Sequence, residues 1–207
     1  MLKTIIRATA GKPVLLLFRI SRWSLLIPWI RRLENFQISP EQALCLCQRI
    51  WQKKGKCRLL VFGVGNDSRF WMAANAGGRT LFLENDARWI QRISRGNQDL
   101  EIVRVDYSTR CSEWKTDLGN QRNLALAMPP HVTSDPWDVI LVDAPAGDTP
   151  ESPGRLQSIF TAKQLVTLGG WVFVHDTGRD LEQNAPALVY GKEKLAVRQG
   201  NMHGFLF

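Results

Sequence analysis

The run Arg58–Trp71, RLLVFGVGNDSRFW, constrains this chain more than any other stretch. An apolar strand that breaks into Gly63, Gly65 and Ser68 and then opens a helix, with Glu84 of LENDAR one unit later, is how a Rossmann-like α/β domain builds a nucleoside site. Gly63 and Gly65 allow tight turns and close backbone approach to a ligand, and Glu84 at the next strand end can accept hydrogen bonds from two ribose hydroxyls. A carboxylate there favours a ribose without a 2′-phosphate. Ser68 stands where a dinucleotide fingerprint has its third glycine, which weakens the close helix packing expected over a pyrophosphate. S-adenosylmethionine has no pyrophosphate and does not need that packing.

The rest of the chain repeats the strand-and-crossover pattern. Ser39, Pro40, Glu41 and Gln42 form a helix start with an N-cap, an N1 proline and a glutamine at N3, and Gly55 closes a helix predicted over 40–54. Strands are predicted at 58–62, 79–83, 101–105, 137–142 and 170–175, which gives a parallel α/β sheet covered on both faces. After a short, poorly periodic segment at 181–190, extended stretches at 193–198 and 202–207 flank Gly200 and Asn201 and predict a closing hairpin. Such an antiparallel ending is similar to the seven-stranded sheet of class I methyltransferases, and no residues remain for a second nucleotide-binding half.

The net charge of +8 resembles a nucleic-acid signature until it is located. Residues 1–32 hold seven of the 27 basic residues and none of the 19 acidic ones, so the body, 20 basic against 19 acidic, is nearly neutral. The sequence thus divides into a basic, apolar arm over 1–35 and a catalytic domain over 36–207. Arg19 and Arg22 interrupt the apolar part of the arm, which makes it a poor transmembrane helix, and no small-residue cleavage site marks a signal peptide. Two readings remain: a segment lying at a membrane surface, with arginines at anionic headgroups, and a helix packed on the domain. Cys45, Cys47, Cys57 and Cys111 show no CxxC pair, which fits reduced thiols and a cytoplasmic protein, peripheral on a membrane if the arm lies at lipid. The oligomeric state is open.

In open α/β sheets ligands sit beyond the carboxyl ends of the strands. The residues there are Gly63 and Gly65, Glu84, Asp106 with Tyr107, Asp143, and His175 with Asp176, so four successive strand ends after the glycine loop carry an acid. The long segment Val142–Arg155, VDAPAGDTPESPGR, follows the fourth strand directly, as functional or disordered loops do. Within it Arg155 can pair bidentately with a substrate carboxylate or make a structural salt bridge.

LVFGVGNDSRFW, FLENDARWI, VILVDAPAGDTPESPGRLQSIFTA and VFVHDTGRD stand in the order and spacing of the glucuronoxylan 4-O-methyltransferase family of polysaccharide biosynthesis, which residues 40–207 resemble. The resemblance implies a class I methyltransferase fold with a mostly parallel seven-stranded sheet, S-adenosylmethionine as donor, and the 4-hydroxyl of a glucuronic acid residue on a glycan as acceptor. It also implies that Gly63, Gly65, Asp67 and Ser68 form the cofactor loop and that Glu84 is the ribose acid. Asp143, Pro145, Gly147, Pro153, Gly154, Arg155, His175 and Asp176 match the strand-end and loop motifs. The chain departs from the family at Asp148, commonly aromatic there, and in its arginine-interrupted arm, where the plant enzymes carry a membrane anchor.

Methyl transfer to a sugar hydroxyl needs in-line alignment and a base, because the hydroxyl is too weak an acid to lose its proton unaided. The candidate bases are Asp143, His175 and Asp176. Arg155 and Arg179 are the candidates for the uronate carboxylate, and Asp106 and Tyr107 extend the cofactor side. The same Asp143, His175 and Asp176 could instead hold a divalent cation that lowers the hydroxyl pKa. The rivals are a nucleic-acid methyltransferase, disfavoured by the neutral body and by DAPA at the fourth strand end, and a non-catalytic scaffold of the same fold.

Overall fold

Ser39 caps a helix from both directions. Its Oγ accepts the Gln42 N–H at 3.3 Å while the Gln42 Oε1 accepts the Ser39 N–H at 2.8 Å, a full capping box ahead of Pro40. This is α1, Pro40–Gln52, two residues shorter than expected, and it buries Leu46, Cys47, Ile50 and Trp51. The computed structural model describes residues 37–95, 98–120 and 124–207; the expected basic arm lies outside them. No helix among the described residues is long and apolar enough to cross a membrane.

The chain then alternates β1 (Arg58–Phe62), α2 (Ser68–Ala74), β2 (Arg79–Glu84), α3 (Ala87–Ser94) and β3 (Glu101–Arg104). The short helices α4 (Trp114–Gly119) and α5 (Pro130–Thr133) lead to β4 (Trp137–Val142), α6 (Leu156–Leu165), β5 (Val166–Val174), α7 (Asp180–Tyr190), β6 (Leu195–Gln199) and β7 (Met202–Leu206). The seven strands form one sheet in the order β3-β2-β1-β4-β5-β7-β6, the first five parallel and β7 antiparallel to both neighbours. β1 and β4 are buried almost throughout because helices cover both faces, which is why they read as unbroken apolar runs.

Besides α1, β6 starts two residues later than expected, at Leu195, and two elements differ more. β5 starts at Val166 rather than 170, since Gly169 is no boundary: its N–H bonds to Phe207 O at 2.7 Å and carries the strand past the glycine pair. The segment 181–190 is a regular helix, α7, despite Pro186 inside it. Its apolar side, Leu181, Ala185 and Val189, joins the core cluster with Tyr190, which hydrogen-bonds to Ile159 O at 2.9 Å. Strand order thus sets the ends of β1, β2, β4 and β5 side by side.

Candidate active site

After Phe62 the chain turns at Gly63 with φ +113°, a conformation open to glycine. A Cβ there would stand 3.0 Å from the Cβ of Ala144, so the glycine loop runs directly against the end of β4. Ser68, expected at the ligand, faces inward instead. Its buried Oγ accepts the Gly65 N–H at 2.9 Å, and its own N–H donates to Gly65 O at 3.1 Å, closing the loop on itself. Asp67 Oδ2 accepts Trp71 Nε1–H at 2.7 Å. Burial, reinforced by the charge of Asp143, pushes the Asp67 carboxyl up to about 6, with the Trp71 bond and His175 opposing.

Glu84 is 6% exposed and is occupied by the backbone: Oε2 accepts from Val64 N at 3.0 Å, and Oε1 from Asn85 N and Asp86 N at 2.7 and 2.8 Å. A carboxylate offers about four lone-pair sites, so Glu84 has room for one further donor rather than for two ribose hydroxyls. Its structural work is to lash the glycine loop to the end of β2. Val105 N–H donates to Glu84 O at 3.0 Å and brings the next strand end alongside. Asp106 there is exposed and, with Ser108, Thr109, Leu126, Ala127 and Gln157, lines a cleft of about 520 Å³. Gln157 Oε1 accepts from Ser108 N at 2.7 Å and shapes that wall. Tyr107 is half-buried against the core, its hydroxyl 3.0 Å from Ser158 Oγ, which also donates to Ala144 O at 2.8 Å. Burial raises the Tyr107 pKa.

The second half is a cluster of charges. Asp143 and His175 follow β4 and β5, fixed by Asp143 N–H to Phe62 O at 3.0 Å and His175 N–H to Val142 O at 3.1 Å. His175, 1% exposed, meets Asp143 Oδ1 through Nδ1 at 2.9 Å; its Nε2 is buried without a partner among the described residues. With Nδ1 carrying the proton, no buried N–H is left unpaired. Asp176, at a left-handed φ of +59°, receives Arg155 and Arg179 on Oδ2 at 2.8 and 3.2 Å.

Arg155 does not present a free guanidinium to a substrate. It is 3% exposed, donating from Nη1 to His175 O at 2.7 Å and from Nη2 to Asp176 Oδ2, with Asp143 Oδ1 at 3.3 Å and Pro145 O facing Nε at 3.4 Å. The structural salt bridge is therefore the alternative the fold adopts. Arg179 is more open, its side chain 38% exposed. The VDAPAGDTPESPGR segment is also not loose: Cys111 N–H donates to Ser152 O at 2.8 Å and Gly154 N–H to Ala146 O at 2.9 Å.

Besides the buried His175 Nε2, one carboxylate oxygen of the cluster is uncommitted. Asp143 Oδ2 has no partner among the described residues, whereas Oδ1 is held by His175 and Arg155. This is the geometry of a proton acceptor aimed by its neighbours. Ligand atoms of Asp143, His175 and Asp176 also lie within 4.8 Å of one another, a mixed oxygen and nitrogen set suited to a divalent cation, with Arg155 as its competitor.

Sequence reasoning passed over Glu182, which is wholly buried, takes the Arg155 N–H on Oε1 at 3.4 Å and leaves Oε2 without a partner among the described residues. Burial raises its pKa, with Arg155 opposing. Its position three residues after Arg179 on α7 was the available signal, hidden because 181–190 did not read as a helix.

Comparison with known proteins adds three findings. The sequence matches the IRX15/IRX15L/GXM profile over residues 42–130 and 119–205. It is 34% identical over 193 residues to glucuronoxylan 4-O-methyltransferase 1 of Arabidopsis thaliana, covering 82% of this chain and 68% of that one, and 32% identical over 186 residues to arabinogalactan O-methyltransferase 2 of the same plant, covering 76% and 64%. The fold is similar to that of an O-methyltransferase from Bacillus cereus solved with SAH, with a TM-score of 0.52 at 14% identity over 99% of this chain and 94% of that one.

Proposed function

The chain belongs to the IRX15/IRX15L/GXM family, and from that premise we propose that it is an S-adenosylmethionine-dependent O-methyltransferase acting on the 4-hydroxyl of a glucuronic acid residue carried on a glycan. The observation that carries this reading is the free Asp143 Oδ2, held at the end of β4 against the glycine loop. A nucleoside loop and a poised oxygen base at adjoining strand ends suit methyl transfer to a hydroxyl.

The residues fit the cofactor. The remaining acceptor site on Glu84 would suit one ribose hydroxyl, the cleft beside Asp106 has the volume of a small-molecule site and would suit the adenine, and Asp67, near enough to Asp143 to feel its charge, would hold the sulfonium end. When bound, S-adenosylmethionine supplies an electrophilic methyl on a sulfonium. Asp143 Oδ2 takes the proton of the acceptor hydroxyl as the new bond forms, while His175 and Arg155 hold Oδ1 and keep the carboxylate from rotating. Arg179, the more open arginine, is assigned the uronate carboxylate. Arg155 instead fixes Asp143 relative to Asp176.

A divalent cation at Asp143, His175 and Asp176 is a second reading, favoured by the proximity of their ligand atoms. It would lower the hydroxyl pKa and displace Arg155 from at least one carboxylate. Removal of metal by a chelator, followed by activity recovered with one added cation, supports it; full activity after chelation excludes it. The basic arm stays assigned from sequence to a membrane surface or to a packed helix, and cosedimentation of the full chain with anionic vesicles separates the two.

The direct test supplies S-adenosylmethionine with glucuronate-terminated and glucose-terminated oligosaccharides of equal length. Methylation confined to the first supports the reading. Binding of the cofactor without transfer to either favours the scaffold, and strongly salt-dependent RNA binding favours the nucleic-acid rival.

A further inference from the structure

We propose that Asn201 and Gln42 are positioning residues of this site, Gln42 holding the Asn201 side-chain amide and Asn201 holding Asp176. The inference rests on the methyltransferase reading above.

The sequence explains Asn201 as half of a turn, and that explains only part of it. Of the two central residues of the hairpin only Gly200 has positive φ, at +58°, as a type II′ turn requires of its first central position, so the turn makes no such demand on position 201. Position 201 is conformationally open to most residues. Its amide, however, is engaged on both sides: Oδ1 accepts Gln42 Nε2–H at 2.6 Å and Nδ2 donates to Asp176 Oδ1 at 3.2 Å. The orientation is forced by chemistry, since Gln42 Nε2 can only donate and an ionised Asp176 can only accept.

Gln42 is fixed in the same way. Its Oε1 is taken by Ser39 N–H at 2.8 Å, so its Nε2 faces the hairpin, where it also donates to Gln199 O at 3.1 Å. The backbone ties the hairpin to the site as well, through Thr177 N–H to Asn201 O at 2.9 Å. The result is a continuous path from the N-cap of α1 across the β6–β7 turn to Asp176. Arg155 and Arg179 pull on Asp176 Oδ2, and Asn201 holds Oδ1. With Oδ1 held, Asp176 keeps Arg155 on Asp143 and the free Asp143 oxygen stays aimed. Asn201 is exposed, so altering its side chain should not unfold the domain.

Two substitutions cut the path at separate bonds. Asn201→Asp keeps the acceptor for Gln42 and removes the donor to Asp176; Gln42→Glu keeps the capping box, which accepts Glu as readily, and removes the donor to Asn201. The expected kcat falls about tenfold in Asn201→Asp and about threefold in Gln42→Glu, at unchanged KM for S-adenosylmethionine. Tm stays unchanged in Asn201→Asp, at an exposed position, and falls in Gln42→Glu, which buries a carboxylate against the Asn201 and Gln199 oxygens. Wild-type kcat in Asn201→Asp, or a loss there matched by a fall in Tm, overturns the proposal. A readout without turnover separates it from the functional reading: the Asn201 side-chain amide resonances should shift in both Gln42→Glu and Asp176→Asn. If the wild-type protein transfers no methyl group, the methyltransferase reading fails, and unshifted amide resonances would then refute the path on their own.

Discussion

The glycine loop and the charge cluster meet at the end of β4 yet are held by different means. In the first, side chains serve the backbone: Ser68 closes the loop on Gly65, and Glu84 gathers the N–H groups of Val64, Asn85 and Asp86. In the second, side chains hold one another: Arg155 joins Asp143 to Asp176, and His175 steadies Asp143. A backbone-held loop keeps its shape when one contact is lost, whereas a charge cluster leaves an unpaired ion behind when one partner goes. The cofactor half should therefore fail by degrees and the acceptor half abruptly.

The largest effect belongs to Asp143. Asp143→Asn removes the free acceptor oxygen and should lower kcat about a thousandfold while cofactor binding, measured calorimetrically, stays near wild type. A normal kcat would leave the cluster without its base. Next is Arg155→Ala, which removes the buried cation between two carboxylates, leaving Asp143 to His175 and Asp176 to Arg179 and Asn201, and should cost about 3 kcal/mol in chemical denaturation. A change confined to KM for the uronate acceptor, with stability intact, would return Arg155 to substrate binding.

On the cofactor side Glu84→Gln keeps one acceptor oxygen and loses the other, so about 2 kcal/mol of stability and a weaker cofactor affinity are expected. Equal stability would mean that the backbone bonds of Glu84 do not hold the loop. The smallest effect concerns Asp67, whose carboxyl burial pushes up to about 6 from an ordinary 3.8. Between those values the folded protein keeps a proton that the unfolded chain has released, so stability falls as pH rises from about 4 to about 6 and stays reduced above. Asp67→Asn removes that loss and should be more stable than wild type by roughly 1–2 kcal/mol at pH 7.5, but not at pH 4, in paired denaturation curves. A pH-independent difference would show that the carboxyl titrates normally.

The same contrast governs what could be read from sequence. β1 and β4 were legible to the residue because both are buried runs ending in glycine or acid, and Gly63, Glu84, Asp143, His175 and Asp176 followed as strand ends. β5 was read four residues late because Gly169 and Gly170 resemble a boundary and become strand only through pairing with the chain end at Phe207. The partners of Arg155 and Ser68 could not be read for one reason: a motif gives the residue but not the direction of its side chain. Arg155 faces partners 12, 20 and 21 positions away in sequence, at Asp143, His175 and Asp176, and only the folded sheet brings them together. Glu182 was invisible as a site residue because 181–190 did not read as a helix, and Asn201 because it looked adequately explained by its turn.

The most direct measurement is linkage analysis of the product formed from S-adenosylmethionine and a glucuronate-bearing glycan, with the Asp143→Asn protein in parallel. The expected result is 4-O-methylglucuronic acid from the wild type and almost none from the variant. Methylation at another position, or equal product from both proteins, would contradict the assignment of Asp143 as the base for the 4-hydroxyl.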